Sequence, residues 1–116
     1  MASRTSTPLT HPDVSELDLF RLMAAVTDPV RLGIVIKLAG SNEDIPCTDF
    51  ALPVTKSAGT RHFRVLREAG VIHQHDVGVR RMSRLRSDDL EVRFPGLLKL
   101  ILQEAAHFNH GDRQAS

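Results

Sequence analysis

Apolar positions fall into blocks that polar, Gly- and Pro-containing segments separate. Leu17, Leu19, Phe20, Leu22, Met23, Ala24, Ala25 and Val26 form the first block. Ser15 is placed to cap a helix through Val26, with Glu16 and Asp18 near its positive end. The apolar residues cover more than one stripe, so this helix has two surfaces to bury, one against its own core and one against a partner subunit. Asp28-Pro29 opens a second helix with a capping carboxylate and a proline at the first helical position. Leu32, Val35, Leu38 and Ala39 continue it at helical spacing and Gly40 ends it. After the polar loop Ser41-Asn42-Glu43-Asp44, a short helical turn is expected from Cys47 to about Leu52, stopped by Pro53.

Thr55 is an N-cap signal for a third helix through Ala69, with Phe63, Leu66 and Ala69 facing inward and Gly70 as a left-handed stop. Its other side carries Lys56, Ser57, Thr60, Arg61, Arg64 and Arg67. The period then shortens toward two. Val71–His75 and Val79–Leu85 flank Asp76-Val77-Gly78, which predicts a hairpin. Ser87 is expected to cap a further helix that Phe94-Pro95-Gly96 interrupts. Beyond it, Leu97, Leu98, Leu100, Ile101, Leu102 and Ala105 make a helix too apolar to stand alone. The expected fold is mainly α with a small β-hairpin, in the order of a winged helix-turn-helix. One domain over residues 14–106 is expected, between flexible polar tails at 1–13 and 107–116.

With 116 residues, 41% hydrophobic and 25% charged, the composition fits one globular domain and excludes a disordered or collagen-like chain. No apolar run is long enough to cross a membrane and the first residues lack the apolar core of a secretion signal, so a cytoplasmic protein is expected. A single cysteine, Cys47, leaves stability to packing. The formal net charge of +1 conceals a division. Between Thr55 and Arg86 the chain carries eight basic residues against Glu68 and Asp76, whereas the remainder is acidic in balance. Clustered cations are the general source of affinity for a polyanion, so this segment points to double-stranded DNA.

The pattern from about Thr48 to Ala69, a short helix, a Pro-containing turn and a capped helix, is how a recognition helix presents donors to the major groove. Lys56, Ser57, Thr60 and Arg61 are the expected base or nearby phosphate contacts, and Arg64, Arg80 and Arg81 the positioning contacts. Arg84 and Arg86 could add to the same field. The competing readings are a solvated basic helix face and an edge strand guarded by charge.

These residues also resemble a family. Asp28-Pro29-Val30-Arg31-Leu32 is similar to the Asp-Pro-x-Arg-Leu signature of arsenic-repressor (ArsR) type regulators, and Thr60–Ile72 to their Ser-x-His-Leu-x-x-Leu-x-x-Ala-Gly-Leu-Val block. Leu90–Leu98 resembles a subgroup without recognisable metal sites. The resemblance spans about Leu17 to Ala105 and implies a homodimeric DNA-binding repressor on a palindromic operator. The interface it implies lies on the first and last helices, at Leu17, Phe20, Leu97, Leu98, Ile101 and Leu102. Gly59 departs from the family, which has Leu or Val there. On that ground Gly59→Leu is expected to raise the melting temperature, and a winged-helix module that has lost specific DNA binding is the alternative function.

No metal or cofactor is expected. One thiol near the short third helix makes a poor soft-metal site. His107-Phe108-Asn109-His110 matches half of the family's C-terminal carboxylate-histidine site, but the other half would fall on Phe94 and Gly96, which cannot ligate. His107 and His110 could recruit a ligand such as His11 across a dimer, but two surface histidines near a helix end are more often no site. His73 and His75 share one side of a strand, where wing polarity explains them, and His62 is expected as a partly buried polar contact. Cys47 is either a small buried side chain or a redox sensor with a lowered pKa. Asp88, Asp89 and Glu91 sit where helix starts favour acids, and no nucleophile-base motif or Gly-rich phosphate loop indicates an enzyme.

Overall fold

The computed structural model describes residues 9–115, with side chains described through His107. Five helices, α1 (Leu19–Val26), α2 (Pro29–Ala39), α3 (Lys56–Glu68), α4 (Ser87–Arg93) and α5 (Leu97–Ala115), accompany three strands, β1 (Ile45–Pro46), β2 (Ile72–Val77) and β3 (Arg80–Leu85). The strands form one antiparallel sheet in the order β1-β3-β2, and β2 and β3 are the wing of a winged helix-turn-helix. The two-residue β1, pairing Ile45 with Ser83 and Pro46 with Met82, was not expected, because two residues carry no periodicity.

Local chemistry explains most boundaries. Asp28 accepts from the backbone N–H groups of Val30 and Arg31 at 2.9 and 3.1 Å and so caps α2 behind Pro29. Thr55 Oγ1 accepts from Ala58 N at 3.2 Å and caps α3. Its other end closes in a Schellman motif, Val71 N donating to Leu66 O and Gly70 N to Arg67 O, each at 3.0 Å, with Gly70 at φ +83°. Gly78, at φ +63°, supplies the first residue of the two-residue turn between β2 and β3.

Two expected caps are displaced. Ser15 lies inside a single 3-10 turn, Val14–Glu16, which Asp13 and Glu16 close as a capping box, and Asp18 caps α1 by accepting from Arg21 N at 3.0 Å. Ser87 is the first residue of α4 and makes no cap. Helix α5 continues to Ala115, and His11 and Pro12, in the stretch expected as an N-terminal tail, bond to Gln74 N and Arg86. The remainder of the expected N-terminal tail, residues 1–8, and Ser116 lie outside the described residues.

The core is aliphatic, as the lack of Trp and Tyr requires. Leu22, Ile34, Val35, Leu66, Val71 and Ile72 are almost fully buried, and Phe50 packs edge-on against Phe63 with ring centroids 5.1 Å apart. Leu97, Leu98 and Ile101 of α5 line the same apolar seam as Leu22, Val26, Val35, Val71 and Leu90. Leu17, expected at the dimer contact, is 3% exposed and belongs to this core.

Gly59 faces inward on α3, next to Leu52 from the preceding turn. An added Cβ lies 3.3 Å from Leu52 Cδ1. A larger side chain at Gly59 therefore has to displace Leu52. Overpacking of a filled core costs about 1–3 kcal/mol, so Gly59→Leu should lower the melting temperature in a thermal melt, and a rise would contradict this packing.

The docked His11 ring stacks on His73, with centroids 4.3 Å apart, and its Nε2 accepts from Gln74 N at 3.0 Å. Burial first, then the charges of His73, Arg86, Arg67 and Arg84, lower its pKa from 6.5 to about 4. The folded pKa lies below the unfolded one, so the unfolded chain binds the extra proton. The contribution to stability is complete above about pH 6.5, falls as the pH drops toward 4 and is gone below it. Denaturant titrations across this window should show a flatter profile for His11→Ala; an unchanged profile would assign the acid sensitivity elsewhere.

Candidate nucleic-acid interface

Helix α3 separates its chemistry by face. Gly59, Phe63 and Leu66 are buried, while Lys56, Ser57, Thr60, Arg61 and Arg64 are exposed. The five exposed residues fall on the turns that follow the Thr55 cap, so the structure brings together the whole set expected on this helix. Thr60 Oγ1 donates to Lys56 O at 3.1 Å, which leaves its oxygen lone pairs free to accept.

A polar brace fixes how α3 sits. Arg31 Nε donates to Ala25 O at 2.6 Å and Arg31 Nη1 to His62 Nδ1 at 3.0 Å, so one guanidinium ties the end of α1 to the middle of α3. The guanidinium has no acceptor, which makes His62 Nδ1 the accepting nitrogen. Asp28, whose carboxyl burial would raise but whose bonds from Arg31 and Val30 and nearby positive charge hold low, lies 3.9 Å from His62 Nδ1. The Asp28-Pro29-Val30-Arg31 sequence is thus a helix cap and an inter-helix clamp in one. His62 is the partly buried contact expected of it.

The wing arginines have four different fates. Arg80 is exposed next to the hairpin tip, where Val79 is fully exposed. Arg81 is committed to Asp76 on the facing strand through Nε–Oδ1 at 2.8 Å and Nη2–Oδ2 at 3.1 Å. That bidentate pair holds the Asp76 carboxyl below its usual range. Arg84 is exposed and 3.9 Å from Asp44. Arg86 does not join the basic surface. Its side chain is 8% exposed, donating from Nε to Asp89 at 3.0 Å and from Nη1 to Pro12 O at 2.8 Å.

Between α3 and the wing runs an open groove of about 810 Å³, lined by Thr60, Phe63, Arg64 and Arg67 on the helix side and Gln74, Asp76, Gly78, Val79 and Arg81 on the wing side, with Cys47 at its edge. Arg67 turns toward the wing and donates from Nη1 to Gln74 Oε1 at 2.6 Å. Gln74, 2% exposed, passes the connection on through Nε2 to Ser83 Oγ at 3.0 Å and to Cys47 Sγ at 3.4 Å. Burial pushes the Cys47 thiol pKa up, opposite to the shift a sensor thiolate needs, so the small buried side chain is the reading the geometry favours. Sequence reasoning left Gln74 unassigned. Its signal was the strand phase, since residues two apart share a face and Ile72 points inward.

The apolar surplus sits elsewhere. Phe20 on α1 is 81% exposed and Leu100 on α5 is 53% exposed, with Leu97, Leu98, Ile101 and Leu102 half-buried. Among the described residues no group of three or more His, Cys, Asp or Glu is placed to hold a metal, and no helix is long and apolar enough to cross a membrane. The His110 side chain lies outside the described residues.

No protein-family model matches the chain and no curated protein does. Among solved structures it is similar to an ArsR-like transcriptional regulator from Rhodococcus sp. RHA1, at 21% identity and a TM-score of 0.56, over 84% of this chain and 92% of that one. A likeness at that identity carries the architecture alone, and this chain shares the winged helix-turn-helix fold of that structure.

Proposed function

We propose that the protein is an ArsR-type transcriptional regulator, a homodimeric repressor that inserts α3 into the major groove of a palindromic operator and lays the wing on the backbone. The exposed row Lys56, Ser57, Thr60, Arg61 and Arg64, on a capped helix beside the basic wing, carries this reading. Arg and Lys pair with guanine O6 and N7, and Ser and Thr reach bases or phosphates. A two-fold through Phe20, Leu97, Leu98, Leu100, Ile101 and Leu102 would set two copies of α3 about 34 Å apart, one turn of duplex. Leu17 drops out of that interface because the core uses it. The alternative of a protein-interaction module rested on a loosened α3; Leu52 beside Gly59 and the Arg31 brace favour a fixed helix instead.

Selection of bound duplexes followed by fluorescence anisotropy tests the reading. A wild type that shifts no duplex at low salt would overturn it. Arg61→Ala should relax sequence preference by about 1–3 kcal/mol at one position. Arg80→Ala should weaken all sequences alike and reduce the salt slope by about one unit. Arg81→Ala should change the slope less, because Asp76 already neutralises that charge; equal slopes for the two variants would contradict the assignment.

A further inference from the structure

Away from the wing, an apolar groove of about 400 Å³ opens between α2 and the turn that leads into α3. Val30 and Gly33 form its α2 side and Phe50, Leu52 and Pro53 its turn side. Lys37 is the one charged residue that lines it, and none of the residues proposed to touch DNA does. Gly33 is the residue that the fold does not explain. It sits in the second turn of α2 without a positive φ, and an added Cβ would meet nothing within 4 Å. Glycine is the poorest helix former after proline, so neither backbone nor packing asks for it here. A ring laid against the helix backbone does, because any side chain would take its place. Lys37 follows one turn later on the same face. Its Nζ donates to Asp49 O at 2.7 Å and lies 5.1 Å from the Phe50 ring centroid, so the ammonium is held beside the groove with two of its three donors unused by the described residues.

We propose that this groove is a binding site for a small aromatic monoanion, such as a carboxylate, with its ring on Gly33 between Val30, Phe50 and Pro53 and its anionic group on Lys37. Apolar walls with a single placed cation are the composition of a small-molecule site, and the volume lies in the range of such sites. Burial of the ring supplies affinity, and the lysine, with no carboxylate among the lining residues to compete for it, selects an anion. The same turn carries Leu52, whose Cδ1 lies 3.3 Å from the place of a Cβ on Gly59, so an occupant that moves Leu52 bears on α3. The site goes beyond the DNA-binding reading and does not rest on it.

Two fluorescent dyes test it, anilinonaphthalenesulfonate and its uncharged counterpart phenylnaphthylamine, with naphthoate as a competing carboxylate. The full chain should raise the emission of the sulfonate saturably, at one site per chain, and naphthoate should displace it. Gly33→Leu fills the groove and should abolish this binding while the melting temperature holds or rises, since its side chain enters open space and leucine is the better helix former. Gly33→Ala, a milder change that keeps the test open if the leucine variant misfolds, should weaken binding by about tenfold. Lys37→Gln should weaken the sulfonate by about tenfold and leave the uncharged dye unchanged. In spectra of 15N-labelled protein the amides of Gly33, Ala51 and Gly59 should move together as the dye saturates. No saturable rise, or a rise that survives both Gly33 variants and so places the dye on another surface, would overturn the site. A Lys37→Gln variant that affects the two dyes alike would overturn the selection of an anion, and a Gly59 amide that stays still would overturn the reach to α3.

Discussion

Gly70→Ala should cost about 2–5 kcal/mol of folding stability, from a left-handed backbone and a steric conflict acting together. Gly70 sits at φ +83°, where an L side chain costs roughly 1–2 kcal/mol. A Cβ built there runs into Leu17 Cδ2 and lies 3.1 Å from Pro12 Cγ, and an inserted methyl in a filled site adds about 1–3 kcal/mol. Neither neighbour can step aside freely. Leu17 is buried in the core, and Pro12 is held by the bond from Arg86 to its carbonyl. The melting temperature should fall by roughly 10 °C or more. Gly78→Ala is the control, because that glycine also has positive φ but an added Cβ meets nothing within 4 Å. Equal losses for the two variants would show that backbone strain alone sets the cost.

Phe20→Glu should separate association from folding. The side chain is 81% exposed, so its replacement should leave the melting temperature of the isolated chain almost unchanged, within about 0.5 kcal/mol. In an isologous interface the same change occurs twice, and a buried aromatic anchor is worth about 2 kcal/mol or more at each copy. Together these raise the dimer dissociation constant by roughly a thousandfold. Sedimentation equilibrium should find dimer for the wild type and monomer for the variant, and affinity for the proposed operator should collapse with the loss of the second α3. Leu17→Ala should behave oppositely, losing about 2–5 kcal/mol of folding stability from a cavity. A monomeric wild type, or a Phe20→Glu dimer of normal strength, would remove the proposed interface.

How much could be read without the fold varies with the range of the interaction. The Asp28 and Thr55 caps, the Gly70 stop, the Gly78 hairpin and the break at Phe94-Pro95-Gly96 were all legible, since each depends on a few consecutive residues. The exposed face of α3 was legible for the same reason, as helical spacing alone puts Lys56, Thr60 and Arg64 on one side. Ser15 and Ser87 failed as caps because neighbouring carboxylates, or the path of the chain, offered the backbone a different solution. The contact at Gly59 was not legible, because Leu52 lies in the preceding turn rather than in the helix.

By itself the sequence determined the order of the elements, the faces of α3 and the charge division that points to nucleic acid, because short-range steric and hydrogen-bonding rules and a side-chain period govern all three. Tertiary structure alone decided which charges remain available. Arg31 meets His62 across 31 positions and Arg86 meets Pro12 across 74, so both are spent on structure, whereas Arg61, Arg64 and Arg80 remain exposed. It also placed Leu17 in the core and left Phe20 outside it, although both belong to one apolar block. A long flexible side chain takes whatever partner the fold brings within reach, and that partner is set by packing between distant segments rather than by neighbours along the chain.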